Sequence, residues 1–332
     1  MREFWRQAVH ALEAGRPVEL VSILASGGST PRGAGAVMAV FEGGRSAGTV
    51  GGGNVEYEAQ RLAAELLKTG GGAVRDFRFV QGDAASLGMV CGGDVTLHFQ
   101  FLPGGDRHAI AVLREVVEAF GGSADTWLIR RLEGERVTDM GTGSRAGFRH
   151  LCSVPPEGLL ECRTAFRDGW TSMQVVRAGK VYIFGGGHVS QALVPVIAAV
   201  GFRAVVYDDR PEFSDPALFP AAEETLCGDF RDVSRKVTVT PDDCVVVMTR
   251  GHQADYEVLS QTLRSGAKYL GCIGSRKKLA LCRERLLAAG FTAEEYARLH
   301  APIGLAIGAE TPAEIAVSVA AELIAVRSGK LK

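Results

Sequence analysis

The sequence predicts an α/β protein whose C-terminal half is a Rossmann-like parallel sheet with helices on both faces. Three observations carry that prediction. Val181-Tyr-Ile-Phe184 is a short β-branched and aromatic run that reads as a strand, and Gly185-Gly186-Gly187 follows at once. From His188 the apolar residues fall at helical spacing, at Val189, Leu193, Val196, Ile197 and Val200. A second strand, Ala204-Val-Val-Tyr207, ends in Asp208-Asp209, about 20 residues beyond the turn, where a ribose-binding acid is expected.

Strand, glycine turn and helix in that order suit a phosphate site. Glycines let the backbone turn tightly and approach the ligand, and the helix N-terminus offers unpaired N–H groups and partial positive charge. In the pattern Gly185-x-Gly187-x-x-Ser190, serine stands at the third glycine position and still permits close helix packing. Gly185, Gly187, His188 and Asp208 are therefore candidate binding residues. The same glycines would also serve the turn of a Rossmann scaffold that holds no nucleotide.

At 332 residues the chain is long enough for two domains with separate cores. Apolar residues make up 46% and charged ones 23%, an ordinary globular balance. Lys and Arg number 37 against 38 acids, a net charge of −1, so no electrostatic footprint for nucleic acid or an anionic membrane is present. No segment approaches the roughly 18 apolar residues of a membrane span, and Met1-Arg-Glu-Phe-Trp-Arg6 has no signal-peptide core. The expected location is the cytoplasm. Seven scattered cysteines, with no C-x-x-C pattern, argue against a disulfide framework or a zinc site. Cys244 and Cys272 fall inside apolar strands and read as small core residues.

Taken in order, residues 2–15 read as a helix with Phe4, Trp5, Val9 and Leu12 on one face. A strand spans Val18 to Ala25. Ser26-Gly-Gly-Ser-Thr-Pro-Arg-Gly-Ala-Gly35 is a loop dense in glycine and hydroxyls. A strand at Ala36 to Phe41 and another at Ser46 to Val50 lead into Gly51-Gly52-Gly53-Asn54, and a helix follows from Val55 through Leu67. This second glycine loop can bind an anion by the same physics as the first. Ser29 and Thr30 supply hydroxyls, and Arg32 supplies a guanidinium fork. Glu56 either contributes to a site or complements the helix dipole. Gly88-Met-Val-Cys-Gly-Gly-Asp94 is a third glycine loop, where Cys91 would either ligate a metal or accept sulfur, or remain inert.

A helix at Arg107 to Phe120 and a strand at Thr126 to Arg131 come next. Residues 132–178 read as hairpins or a covering segment, with a linker near 165–178 dividing the chain into domains 1–175 and 176–332. Beyond Asp209, strands are expected at Glu224 to Cys227, Cys244 to Met248 and Tyr269 to Ile273. His252 and Asp255 stand at the C-terminal end of the second of these, as a base or ligand pair or as a helix cap, and the cap suits Asp255 better. A helix is expected from Asp255 to Ser265. Gly274-Ser275-Arg276-Lys277-Lys278 reads as an anion clamp at a helix start, with Ser275 and Arg276 as candidates; a capped helix with a solvated basic first turn is the plainer reading. Thr311, Pro312 and Glu314 form a capping box for the last helix.

The loop Gly28-Ser-Thr-Pro-Arg-Gly33, the run Gly48-Thr-Val-Gly-Gly-Gly-Asn-Val-Glu56, the segment Gly271-Cys-Ile-Gly-Ser-Arg-Lys277 and the tail His300-Ala-Pro-Ile-Gly-Leu-Ala-Ile-Gly-Ala-Glu-Thr-Pro-Ala-Glu-Ile315 resemble the XdhC/CoxI family of xanthine dehydrogenase accessory proteins. The resemblance implies an N-terminal α/β XdhC/CoxI domain and a C-terminal Rossmann domain. It implies a maturation chaperone rather than a catalyst, with no catalytic residues. Such a protein would bind molybdenum cofactor, as molybdopterin or its nucleotide form, assist its sulfuration with a cysteine desulfurase, and deliver it to the apo-enzyme of a molybdenum hydroxylase. It would act as a homodimer. Many relatives carry cysteine after the triple glycine where this chain has Asn54, which leaves Cys91 as the loop thiol that could act. The alternative function is an NAD(P)-dependent oxidoreductase using the Rossmann domain, and a third is a nucleotide sensor.

Overall fold

A computed structural model describes residues 1–28, 30, 32–78, 93–122 and 124–331. The chain forms two compact units, Met1–Ala178 and Gly179–Lys332.

The N-terminal unit opens with helix α1 (Arg2–Glu13). Strands β1 (Val18–Gly28), β2 (Val37–Phe41), β3 (Ser46–Gly48), β4 (Ala73–Arg78) and β5 (Gly93–Leu102) form an antiparallel sheet in the order β3-β2-β1-β5-β4. Helix α2 (Gly53–Thr69) covers one face, packing Val55, Ala59 and Ala63 on Val21, Ile23, Met38 and Phe99. On the other face α1 and α3 (Arg107–Ala119) pack Trp5, Leu12, Leu113 and Val116 on Val18, Leu20 and Ala39. Side chains of successive strand residues point to opposite faces, so a sheet covered on both sides needs a continuous apolar run, and β1 supplies one. Its buried polar exceptions are Glu19, 0% exposed, and Ser22, 1% exposed. Asp106 caps α3, accepting from the amides of His108 and Ala109.

A second antiparallel sheet follows: β6 (Thr126–Glu133), β7 (Arg136–Ser144), β8 (Gly147–Arg149), β9 (Thr164–Arg167) and β10 (Trp170–Val176), in the order β8-β7-β6-β10-β9. The hairpin expectation for 132–178 holds in part. The linker expected near 165–178 is not there, because β9 and β10 pair with each other and β10 with β6 across those residues. Likewise the strand expected to reach Val50 ends at Gly48.

The C-terminal unit is a six-stranded parallel sheet. Its strands are β11 (Val181–Phe184), β12 (Ala204–Asp208), β13 (Glu224–Cys227), β14 (Cys244–Val247), β15 (Tyr269–Cys272) and β16 (Leu299–His300), in the order β13-β12-β11-β14-β15-β16. This is the doubly wound dinucleotide-type order. Helices α4 (His188–Ala199) and α8 (Pro312–Arg327) cover one face through Leu193, Ile197, Val319 and Leu323. Helices α5 (His252–Thr262) and α6 (Arg276–Ala288) cover the other through Val258, Leu259, Leu279 and Leu286; the short α7 (Ala293–Ala297) precedes β16. The sheet and the helices on both faces match the sequence prediction. Helix α5 starts three residues earlier than expected, so Asp255 lies inside it and Gly251 holds the N-cap position. Glu322 of α8 ties this unit's far edge together: it accepts from the Tyr269 hydroxyl, the Gly304 amide at 2.8 Å and His300 Nδ1 at 3.0 Å.

Two buried groups in the N-terminal unit set opposite pH dependences. Burial pushes the Glu19 carboxyl up to about 8, so its folded form keeps a proton that the unfolded chain has lost. Burial and the nearby Arg130 guanidinium push His98 down to about 3. The His98 contribution is lost as pH falls from its unfolded value toward 3. The Glu19 contribution is lost as pH rises from its unfolded value toward 8. Each changes stability by up to about 1.4 kcal/mol per pH unit within its window. Denaturant unfolding should therefore show a decline between pH 6.5 and about 8 that Glu19→Gln flattens, with the loss below pH 4.5 unchanged.

Candidate functional site

Strand order in the C-terminal unit reverses between β11 and β14, so the loops after these neighbours open a crevice at the carboxyl edge of the sheet. After β11 the chain turns through Gly185, whose φ of 108° only glycine adopts readily. A Cβ on Gly186 would lie 1.8 Å from the Phe213 carbonyl, so the segment after β12 closes over the middle glycine. Gly187 differs: it is extended, and a Cβ there would meet nothing within 4 Å. Ser190 donates to the Gly185 carbonyl and Gln191 to that of Gly186 at 3.1 Å. The turn is thus tied to its own helix, and the open side lies at Gly187 and His188.

Helix α4 begins at Gly187 without a side-chain cap, and α5 begins at Gly251 in the same way. Each next residue is a histidine, His188 and His252, and both are exposed. Uncapped first-turn amides and the helix dipole make both starts attractive to an anion. Helix α6 starts beside them, after β15. Ser275 is its N-cap, accepting from the Lys278 amide at 3.3 Å, so that hydroxyl is engaged. Arg276 and Lys277 are exposed.

The carboxylates of this edge are matched internally. Asp208, 1% exposed, accepts from the Gly186 amide at 2.7 Å and from Arg210 Nε and Nη2 at 2.9 and 3.0 Å. Burial pushes its carboxyl up, but Arg210 and the Gly186 amide outweigh that and hold it below the ordinary range. Asp209 is more open, 3.5 Å from Arg250, and it lines a cleft of about 790 Å³ with Phe230, Arg231, Gly251 and Glu257. Asp255 accepts from the Thr249 amide at 3.2 Å and its hydroxyl at 2.5 Å, and pairs with Lys278. Burial leaves its carboxyl above the ordinary value despite those partners. Asp255 therefore braces the starts of α5 and α6 rather than capping a helix.

In the N-terminal unit, sheet register brings the ends of β1 and β3 and the starts of β2 and β5 to one end: Gly28 stands opposite Gly93, and Met38 opposite Gly48. Thr30, Arg32, Gly51 and Gly52 belong to the loops at that end, and Gly53 and Asn54 open α2 there. Arg32 and Asn54 are exposed and Thr30 is half-buried. Ser29 and Cys91 lie outside the described residues. Gly51, Gly52 and Gly53 have φ of 136°, 74° and 59°, three consecutive left-handed positions. The nest of amides they form is filled from within. Glu56 accepts from the Val50 amide at 3.2 Å, the Gly52 amide at 2.9 Å and the Thr49 hydroxyl. Burial pushes its carboxyl up, but these bonds outweigh it and hold it below the ordinary range.

Among the described residues no group of three His, Cys, Asp or Glu side chains is placed to hold a metal. Cys244, Cys272 and Cys282 are buried, their thiols pushed up by burial, in keeping with core residues. Sequence reasoning gave no role to Arg210, Thr249 or Arg250, although the last two stand at the expected strand end. The signal for Arg210 was present, an arginine directly after the paired acids.

These features define a two-unit protein of the Rossmann class with an antiparallel α/β unit before it. Residues 181–323 match the model of the XdhC Rossmann domain, and residues 11–78 match that of the XdhC and CoxI family. The chain belongs to the XdhC/CoxI family. It is 27% identical over 327 residues to a protein of Bacillus subtilis (strain 168) named as a probable xanthine dehydrogenase subunit, covering 95% of each chain. It is 27% identical over 332 residues to the molybdenum cofactor insertion chaperone PaoD of Escherichia coli (strain K12), covering 98% of this chain and 88% of that protein. Over 150 residues it is 36% identical to the uncharacterized protein YqeB of Escherichia coli (strain K12), 45% of this chain and 27% of that protein. A crystal structure described as a xanthine dehydrogenase from Bacillus halodurans shares the fold, with a TM-score of 0.80 over 98% of this chain and 97% of that one at 24% identity.

Two substitutions follow from the glycine geometry. Gly186→Ala must move the Phe213 carbonyl and should cost on the order of 1–3 kcal/mol, whereas Gly187→Ala should stay within about 0.5 kcal/mol of wild type; denaturant unfolding compares them. In the other unit, Glu56→Ala should cost about 1–3 kcal/mol by leaving the amides of the glycine loop without their acceptor, and hydrogen exchange should show residues 50–54 opening first.

Proposed function

We propose that this protein binds molybdenum cofactor, as molybdopterin or its nucleotide form, and serves the maturation of a molybdenum hydroxylase such as xanthine dehydrogenase. The observation that carries this reading is the carboxyl edge of the Rossmann unit. Two uncapped helix starts, an open Gly187 and the exposed cations Arg276 and Lys277 suit a ligand anchored by phosphate. The names of the relatives, which include an insertion chaperone and a xanthine dehydrogenase component, support the same role. The cofactor carries its metal on its own dithiolene, so the lack of a three-ligand metal cluster among the described residues is compatible with it.

In this reading the phosphate end is held by the amides of Gly187 and His188, by His252 and by Arg276. Within the N-terminal unit, Arg32, Thr30 and Asn54 are the candidate contacts, because the amide nest filled by Glu56 is a poor place for a second anion. Sulfuration with a cysteine desulfurase, transfer to the apo-enzyme, homodimerisation and residence in the cytoplasm belong to the same proposal. No helix among the described residues is long and apolar enough to cross a membrane. The NAD(P)-dependent reading has weaker support, since the Asp208 carboxylate that a ribose would need is buried against Arg210 and Gly186.

The test is to purify the protein without oxygen from a host that makes the cofactor, oxidise it, and measure released pterin fluorescence. Wild type should release pterin in a fixed ratio to protein. Gly187→Asp should release at least tenfold less while unfolding no more easily, because aspartate is a favourable N-cap that places negative charge on the anion site. Arg276→Ala should reduce retention in the same direction. A wild-type protein with no pterin, or a Gly187→Asp variant that retains it fully, overturns the proposal.

A further inference from the structure

The interior of the N-terminal unit holds a positive charge with no negative partner among the described residues. Arg130 of β6 is 1% exposed, and its guanidinium reaches across to the first sheet. Nη2 donates to the Ser22 hydroxyl at 3.0 Å, and Nη1 approaches His98 Nδ1 and Gln100 Oε1, each at 3.4 Å. All three acceptors are neutral. His98 is held in its uncharged form by burial and by Arg130 itself. The guanidinium also has an orphan donor, since Nε finds no acceptor among the described residues. On the neighbouring strand, directly opposite in register, Thr171 is 3% exposed and its hydroxyl has no partner among them either.

Burial pushes Arg130 down to about 10, which leaves it charged at neutral pH, and no carboxylate among the described residues offsets it. Neither buried acid of the two sheets serves: Asp139 of β7 accepts from the Cys152 and Ser153 amides, and Glu19 of β1 faces away. Glu19 and Ser22 stand at odd spacing on β1, so Glu19 faces the α2 side of the sheet and Ser22 the Arg130 side. An unpaired buried cation costs several kcal/mol unless a counter-charge is supplied. These two unpartnered donors stand at directly opposing positions of adjacent strands, about 4.8 Å apart at the backbone, so both side chains leave the sheet on the same face.

We propose that the N-terminal unit binds a small inorganic monoanion of the chloride class between Arg130 Nε and the Thr171 hydroxyl. One negative charge balances the single guanidinium, whereas a polyanion would replace one buried excess with another. The anion is structural: it sits where the second sheet meets the first, and it pins β6 and β10 against β1 and β5. Nothing in this site depends on the proposed cofactor role.

Thermal unfolding of the full chain tests it, in sodium chloride against sodium gluconate at equal ionic strength. Wild type should gain several degrees in Tm with a saturable chloride dependence, as for any ligand that binds only the folded state. Thr171→Val keeps the cation and removes one donor; it should shift the half-saturating chloride concentration at least several-fold upward. Arg130→Met should abolish the dependence. Crystals grown in sodium bromide should give an anomalous peak beside Arg130 Nε. Equal Tm in both salts, a chloride response that survives in Arg130→Met, or a water at that position without anomalous signal overturns the proposal.

Discussion

A parallel strand followed by a helix brings the helix's first amides back to the carboxyl edge of the sheet. In the C-terminal unit this happens after β11, β14 and β15 in adjacent positions. What separates the three starts is what stands at the cap. Ser275 satisfies α6 from its own side chain, whereas Gly187 and Gly251 leave α4 and α5 uncapped. Helix ends left without partners are uncommon, and two at the reversal of strand order concentrate the unit's unused hydrogen-bonding capacity there. The surrounding acids reinforce this, because Asp208 and Asp255 are consumed by Arg210 and Lys278 rather than opposing a bound anion.

The N-terminal unit applies the same glycine chemistry to a different end. Three left-handed glycines curl the backbone into a concave set of amides, but Glu56, one turn into α2, folds back to fill it. An internal carboxylate there fixes the loop's shape without a ligand, and leaves Arg32 and Asn54 exposed. Glycine content alone therefore does not distinguish a phosphate cradle from a self-closed turn. The distinction rests on whether a nearby acid can reach the amides first.

Much of the Rossmann unit was legible because its signals are local. The β-branched run 181–184, the helical spacing from Val189 and the capping box at Thr311 and Glu314 each fit within a few residues, and each element formed where expected. The second sheet was not legible in the same way. Strand β9 alternates weakly and exposes Phe166 at 63%, and its existence depends on pairing with β10 rather than on its own pattern. Asp255 misled for a related reason. An acid near a helix start reads as a cap, but its partners, Thr249 and Lys278, come from a turn and another helix. For the site, residue types and their strand ends were visible, while the inward turn of Asp208 and the closing of residues 211–213 over Gly186 required the folded geometry.

The bonding of Glu322 bears on how the C-terminus tolerates change. One carboxylate in the last helix holds Tyr269 from an inner strand, His300 from the edge strand and the amide of Gly304 from the loop after it. The distinctive tail from His300 onward thus owes part of its specificity to keeping a buried acid satisfied. A chain trimmed ahead of α8 would strip the sheet of its outer fastening, leaving Tyr269 and His300 without the oxygen atoms that anchor them. Helix α8 is in this sense a clasp on the finished sheet, and inserted segments belong outside it rather than in its place.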